Sequence, residues 1–317
     1  MPEHNRDHFA CSPYRKGLPG MRSNRLLKDR LAGKLMLILT AISGLVVVLM
    51  AFGLYQRSRP ILAIKPLTEL LASSSWHPLR GEFGLLPFIV GTLWVTGVAV
   101  AIAVPLCLLT AIYLSEYADR RLREWANPLI DLLAGIPSVV YGVWGVLIIV
   151  PLIRDHIAPF FASFSAGYCV LAGGIVLAIM VFPIIIHVSV EVFESVPHGV
   201  REASLAIGAT KWQTVKHVVL RKAMPGVIAA IVLGLSRAFG ETMAVLMVAG
   251  NVARVPTSVF DPAYPLPALI ANNYGEMMSV PLYDSALLLA SLVLLLVVLF
   301  FNVISRVILT RVERRIR

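Results

Sequence analysis

The chain has 317 residues, of which 58% are hydrophobic and only 15% are charged, and its mean hydropathy is +0.80. This composition excludes a soluble globular domain and is typical of a helical protein that crosses the membrane several times. The formal net charge of +10 therefore indicates basic helix ends beside anionic lipid rather than a nucleic-acid-binding surface.

Residues 1–34 are polar, basic and rich in Gly, Pro, Ser and Asn, which predicts a disordered tail. The apolar stretch that follows, about residues 35–55, is too long for the hydrophobic part of a signal peptide and begins too far along the chain. It predicts a first transmembrane helix that is not cleaved, followed by an outer loop up to residue 84. We expect a short helix in this loop near Leu67–Ala72.

Five further apolar stretches lie between charged residues, and each has the roughly 20 residues that a bilayer requires. They fall between residues 82 and 116 (with Pro105 inside), 131 and 154, 156 and 187, 225 and 250, and 284 and 306. The predicted fold is therefore all-α, with six transmembrane helices. Residues 85–310 form the main transmembrane domain in this interpretation, and residues 311–317 form a basic tail.

The distribution of basic residues predicts the orientation in the membrane. The two tails and the second and fourth loops hold 21 Lys and Arg residues, whereas the other three loops hold 6. Because basic residues are retained on the cytoplasmic side, both termini and the loop at 191–224 are expected there. The outer loop at 251–283 carries five prolines and is either a rigid surface for a partner or a shaped connector.

The fifth apolar stretch contains Arg237 and Glu241, about midway along it. On a continuous helix, a spacing of four places both side chains on one face, close enough to pair. Ionisable groups at membrane depth are costly and usually face a bundle interior or a wet pathway, so both are functional candidates. The alternative is an ion pair that only fixes helix packing. Small residues at 226, 230, 234 and 238 predict a close contact with another helix.

The loop at 191–224 predicts two short helices. Pro197 begins the first and Gly208 ends it, while Thr210 and Gln213 form a capping box that begins the second. An apolar stripe that includes Trp212 runs along the second helix. From these features alone, the pair could also lie flat on the membrane surface.

Residues 202–220, the coupling segment, resemble the E-A-A-x-x-x-G-(x)9-I-x-L-P signature of binding-protein-dependent ABC importer permeases. Glu202, Ala203, Gly208 and Leu220 match; serine replaces the last alanine, valine the isoleucine and arginine the proline. The resemblance implies a permease bundle of the type I importer kind and a segment that docks on a cytoplasmic ATPase. The residues assigned to this coupling are Glu202, Ala203, Ser204, Gly208, Trp212 and Leu220.

Residues 134–142 and 237–251 are similar to the permeases of phosphate importers, and the second stretch is more similar to the PstC-type than to the PstA-type subunit. The resemblance covers about residues 85–310. It implies a phosphate pathway that includes Arg237, Glu241 and Thr242, and a helix break at Pro137 and Ser138. It also implies a bacterial inner-membrane complex with a PstA-like permease, two PstB-like ATPases and an external PstS-like phosphate-binding protein.

The chain is expected to be a transporter subunit and not an enzyme. It lacks the G-x-x-x-x-G-K-[ST] phosphate loop, so ATP and magnesium are assigned to the partner ATPase. No resident cofactor or metal is expected; the spacing of His187, Glu191 and Glu194 is ordinary for a charged helix end. The cysteines form no pairing pattern.

Arginine suits an oxyanion because its planar guanidinium matches phosphate oxygens, and Glu241 would hold or tune that arginine. The Pro137 break would expose backbone groups to the pathway, or would be an ordinary kink. Two rival functions stay open: a permease for sulfate, molybdate or tungstate, and a channel or carrier that works without ATP. The coupling segment argues against the second.

Overall fold

The structure is a computed structural model that describes residues 19–161, 164–276 and 279–316. The chain divides into two compact units, Met1–Gly53 and Leu54–Arg317. Within the described residues, six helices are long and apolar enough to cross a membrane: Arg30–Ile64, Leu86–Tyr117, Ser138–Phe160, Val170–Glu194, Lys211–Gly240 and Tyr283–Ile304, here called spans 1 to 6. The predicted number of spans is confirmed.

The first helix, α1, runs over Pro19–Ile64 and begins well before the predicted span. Residues 19–34 of the tail predicted to be disordered are part of this helix, and residues 1–18 lie outside the described residues. The added residues are mostly Leu, Arg, Lys and Ala, which are good helix formers, and extending a helix costs less than starting one.

Between spans 1 and 2, the chain forms helix α2 (Leu67–Ala72), as predicted, and a small antiparallel hairpin. Strands β1 (Trp76–His77) and β2 (Glu82–Phe83) flank a 3-10 turn at Pro78–Arg80. Trp76 packs edge-to-face on Phe83 and Phe88, with ring centroids 5.6 and 5.1 Å apart. These side chains belong to an apolar cluster that Tyr264 and Tyr283 complete from the other end of the chain.

Span 2 consists of α3 (Leu86–Ile112) and a π turn at Tyr113–Tyr117. Helix α4 (Arg120–Gly135) follows and stops before Pro137. Span 3 then combines α5 (Ser138–Trp144), α6 (Val150–Leu152) and α7 (Ala158–Phe160), joined by π turns at Gly145–Ile149 and Ile153–Ile157.

Span 3 begins inside the window predicted for it, residues 131–154, but continues beyond that window to Phe160. Ile136 adopts an extended backbone (φ −69°, ψ 129°) because the following proline disfavours the helical conformation there. At the other end, the helix continues through Arg154 and Asp155, whose side chains pair at 2.7 Å and so neutralise each other. Asp131 consequently lies on α4, outside the span.

Span 4 is α8 (Val170–Glu194), which extends seven residues beyond the predicted limit at His187. The next helices are α9 (His198–Ala206), α10 (Lys211–Thr214), a π turn at Val215–Val219, α11 (Leu220–Gly240), α12 (Met243–Val248), α13 (Leu266–Asn273) and α14 (Tyr283–Ile316). Span 5 therefore begins earlier than predicted and ends ten residues earlier, at Gly240.

The centre of the bundle is formed by α8, which packs on α3 along one side and on α11 along another. Small residues allow the second contact: Ala230, Gly234 and Ala238 are buried in it, as the stripe of four predicted. The loop before α13 supplies hydrogen-bond acceptors for the first residues of α8. Val170 and Leu171 donate their backbone N–H groups to the carbonyls of Asp261 and Val259, at 3.0 and 2.8 Å.

Candidate functional site

Arg237 lies in the last turn of α11, and its side chain is exposed in the isolated chain. Within the described part of the chain, no hydrogen bond or ion pair reaches its guanidinium; its neighbour in electrostatic range is the hydroxyl of Tyr141 on α5. An arginine at this depth without a protein partner is available to an external anion or to another subunit. The expected pairing with Glu241 is not formed.

Glu241 lies directly after the end of α11, with an extended backbone (φ −74°, ψ 125°). Its carboxylate turns forward and accepts a hydrogen bond from the backbone N–H of Ala244 at 3.1 Å, in the first turn of α12. Thr242 occupies the same break and donates weakly to the carbonyl of Gly240 at 3.4 Å. The predicted pair with Arg237 does not form because the helix ends at Gly240. A spacing of four residues places two side chains on one face only within a continuous helix.

The two short helices that follow the two breaks, α5 and α12, pack against each other. A Cβ added at Gly142 would lie 3.2 Å from Cα of Ala244, and one added at Gly145 would lie 2.8 Å from Cγ1 of Val248. Gly142 also meets Met247, and Gly145 is the first residue after α5, so the contact covers most of α12.

The break at Pro137 and Ser138 is present as a true interruption between α4 and α5. Tyr141 crosses it, donating its hydroxyl to the backbone carbonyl of Leu133 at 2.7 Å. Tyr141 thus joins the two sides of the break. It lies inside the stretch 134–142, but the sequence offered no reason to prefer it over its apolar neighbours.

The coupling segment forms the two predicted short helices. Gly208 has a φ of +88°, the left-handed conformation that ends α9, and Thr210 and Gln213 form the predicted capping box at the start of α10. Glu202, Ala203 and Trp212 are exposed. Ser204 is buried and hydrogen-bonded to Thr214 at 2.9 Å, which joins α9 to α10.

Leu220 and Trp212, both assigned to ATPase coupling, have different surroundings. Leu220 is half-buried at the start of α11 and packs on the cluster that contains Phe193 and Val219. Exposed Trp212 does not share the burial of Val219, so the predicted apolar stripe is split between the inside and the surface. The exposed members are those available to a partner.

His187 lies between two carboxylates, 3.4 Å from Glu191 and 4.0 Å from Asp131, and all three side chains are more than half exposed. Over the described ranges, no group of three His, Cys, Asp or Glu residues has the geometry to hold a metal ion.

An ion pair that the sequence did not predict joins Arg201 on α9 to Glu116 at the end of span 2, at 2.8 Å. The two residues are 85 positions apart, and no local pattern links them. Arg123 at the start of α4 similarly pairs with Glu194 at the end of α8, at 3.0 Å. These pairs hold the ends of spans 2 and 4 and the coupling segment together on one side of the bundle, here called the coupling side.

Six spans, with a two-helix loop between spans 4 and 5, are the arrangement expected of a permease subunit of an ABC importer. An inward-facing structure of the MetNI methionine ABC transporter has a similar fold, with a TM-score of 0.57 and 20% identity, covering 75% of this chain and 99% of that one. That similarity concerns the fold.

The chain belongs to the family described as the binding-protein-dependent transport system inner membrane component, which matches residues 103–317. A phosphate transport system permease protein PstC of Xylella fastidiosa is 40% identical over 257 residues, 77% of this chain and 79% of the relative. A probable ABC transporter permease protein YqgH of Bacillus subtilis is 36% identical over 314 residues, 97% and 98% of the two chains. The chain is thus a multi-pass membrane permease that works with an ATPase and a binding protein, and ATP is handled by the partner ATPase.

Proposed function

We propose that this chain is the PstC-type permease subunit of a phosphate importer, and that Arg237 contacts phosphate in transit. The observation that carries the proposal is the unpaired guanidinium at the end of α11, in a chain 34–40% identical to several phosphate permeases. A guanidinium offers paired N–H donors that match two phosphate oxygens.

The position of Glu241 refines the role proposed for the pair. Its carboxylate accepts a hydrogen bond from the backbone of α12 and, among the described residues, forms no ion pair with Arg237, while its negative charge remains. A negative charge close by, but not paired, lowers the affinity for an anion. A pathway needs this balance, since the solute must bind well enough to enter and weakly enough to leave. Thr242, in the same break, contributes a hydroxyl.

In the proposed complex, a PstA-like permease completes the pathway and two PstB-like ATPases bind ATP and magnesium. A PstS-like protein delivers phosphate from outside. Both termini and the coupling segment face the cytoplasm of a bacterium, across its inner membrane, as the excess of basic residues on that side supports. The exposed residues Glu202, Ala203 and Trp212 dock on the ATPase in this arrangement.

The test uses the complete complex in proteoliposomes, with ATP inside and loaded binding protein outside. Arg237→Gln removes the charge and should lower phosphate uptake at least about tenfold, the factor typical of losing one charged hydrogen bond. Arg237→Lys keeps the charge without the planar fork and should be intermediate. Arg120→Gln is the matched control, because that side chain is 93% exposed and pairs with Glu124 at the surface.

Uptake by Arg237→Gln at the wild-type rate would show that Arg237 is not in the pathway. Unlabelled sulfate, molybdate and tungstate are added as competitors of phosphate uptake to identify the transported oxyanion. If one of them inhibits uptake more strongly than unlabelled phosphate does, that ion is the substrate and not phosphate. Uptake that persists without ATP would instead support a channel or carrier.

A further inference from the structure

Span 4 and the coupling segment meet at a sharp corner. Helix α8 ends at Glu194, Pro197 adopts an extended backbone (φ −57°, ψ 137°), and α9 begins at His198. Only three residues separate the two helices, and none of them has regular helical hydrogen bonding on both sides. The angle between α8 and α9 therefore depends on side chains that bridge the corner.

Arg201 bridges it from the inside. Its guanidinium donates to the backbone carbonyl of Phe193 at 2.7 Å, which also accepts from the N–H of Val196 at 3.3 Å, and to the carbonyl of Val196, which lies in the corner itself. The same side chain donates through Nε and Nη2 to Glu116 at 3.1 and 2.8 Å. One residue of α9 thus holds both the end of span 4 and the end of span 2.

This contact is buried, which distinguishes it from the other ion pairs on the coupling side. The side chains of Arg201 and Glu116 are 13% and 9% exposed, whereas those of Arg123 and Glu194 are 34% and 49% exposed. A buried charge that loses its partner is far more costly than an exposed one, so the Arg201 contact resists opening. Lys211 adds a second link to the same turn, 4.6 Å above the ring of Tyr117.

We propose that Arg201 is a positioning residue for energy coupling: it stiffens the corner between α8 and α9, so that a displacement of the coupling segment is delivered to spans 2 and 4 instead of being absorbed at Pro197. This rests on the proposed function, since it requires an ATPase that moves the segment. Span 5 follows the segment without interruption and packs on spans 2 and 4, but α9 itself is held to the ends of spans 2 and 4 at this corner. Arg201 therefore makes three spans respond to one push.

The experiment measures the phosphate imported per ATP hydrolysed by the complete complex. Arg201→Gln should lower this ratio by about tenfold, the factor that the loss of one charged hydrogen bond allows, while hydrolysis continues. Glu116→Gln keeps an acceptor oxygen and should give a smaller loss. Arg120→Gln, with the same change of charge at an exposed pair, should leave the ratio unchanged.

A crosslink tests whether Arg201 acts by holding the corner rigid or through its charge. Glu116→Cys and Arg201→Cys are combined with Cys11→Ser, and the remaining cysteines, Cys107 and Cys169, are buried. Without a crosslinker this variant should be as uncoupled as Arg201→Gln. A short bifunctional maleimide should restore the ratio although both charged groups are gone, because the corner is rigid again.

Three results would overturn the proposal: an unchanged ratio in Arg201→Gln, no recovery on crosslinking, or loss of complex assembly in both single variants, which would make the pair a requirement for folding. If the wild-type complex imports another oxyanion, the same ratio is measured with that ion. If the wild-type complex contains no ATPase, the proposed function fails and not only this inference.

Discussion

The contact between α11 and α8 gives a direct test of how Arg237 is positioned. Gly234, less than one turn before Arg237, faces two buried side chains of α8. A Cβ at this position would lie 2.6 Å from Cγ1 of Ile185 and 2.8 Å from Cγ1 of Val181. Real Cβ contacts are rarely shorter than about 3.4 Å, so Gly234→Ala must push the helices apart or force a strained rotamer.

Overpacking of this kind costs about 1–3 kcal/mol. The substitution also gains up to about 1 kcal/mol of helix propensity, since alanine replaces glycine in a helix. Gly97 on α3 supplies the control, because no atom lies within 4 Å of its added Cβ and the propensity gain is the same. The difference between the two variants therefore isolates the packing cost. It should appear as a melting temperature about 2–12 °C lower for Gly234→Ala, at about 2–4 °C per kcal/mol.

The measurement is the thermal unfolding midpoint of the two variants in the same lipid nanodiscs. Phosphate uptake by the complete complex is measured separately in proteoliposomes. It should fall in Gly234→Ala, because the displaced α11 carries Arg237. Adding Ile185→Val removes one of the opposing methyl groups and should recover part of the loss. A midpoint for Gly234→Ala equal to or above that of Gly97→Ala would refute the close contact between α8 and α11.

Two further predictions concern the loops. Thr210→Ala removes the capping box with Gln213 and should destabilise α10 by about 1 kcal/mol, seen as about fivefold faster amide exchange at residues 211–214, with Thr110→Ala unchanged. Asp261 accepts hydrogen bonds from the side chain and backbone of Thr257, which hold its carboxyl pKa below the usual value. Its stabilisation is thus full above about pH 4 and is lost as the pH falls through the lowered pKa. The unfolding midpoint of Asp261→Asn should therefore fall less between pH 6 and 3 than that of the wild type, and equal slopes would contradict this.

Local chemistry predicted much of the fold. Gly208, Thr210 and Gln213 end and begin helices through their own backbone and side-chain hydrogen bonds, so their roles follow from a few neighbouring residues. The stripe that includes Gly234 is similarly legible, because small residues at intervals of four permit close approach of another helix. Each span was also found, since about 20 apolar residues have few alternatives.

The break after Gly240 could not be predicted in this way. The apolar run resumes at residues 243–249 and no proline marks an end, so Gly240 and Glu241 alone do not distinguish a break from a continuous helix with one charge. The interruption depends on Glu241 binding the backbone of Ala244 and on α12 packing against α5, which is about 100 residues earlier in the chain. The Arg201–Glu116 contact has the same origin. The break after Gly240 and the Arg201–Glu116 contact both depend on tertiary contacts, which the spacing of neighbouring residues does not indicate.

The break changes what the Arg237 site can do. From Lys211 to Gly240 the chain is one helical run, so Arg237 is at the far end of an element that begins in the coupling segment. Glu241 is beyond the break and is fixed to α12, which packs on α5 and α8. On one continuous helix, the distance between the two charges would be constant. With the break between them, a shift of α11 relative to α12 changes that distance, and with it the affinity for an anion beside Arg237. The proposed import cycle needs such a change, because the same arginine must bind phosphate on one side of the membrane and release it on the other.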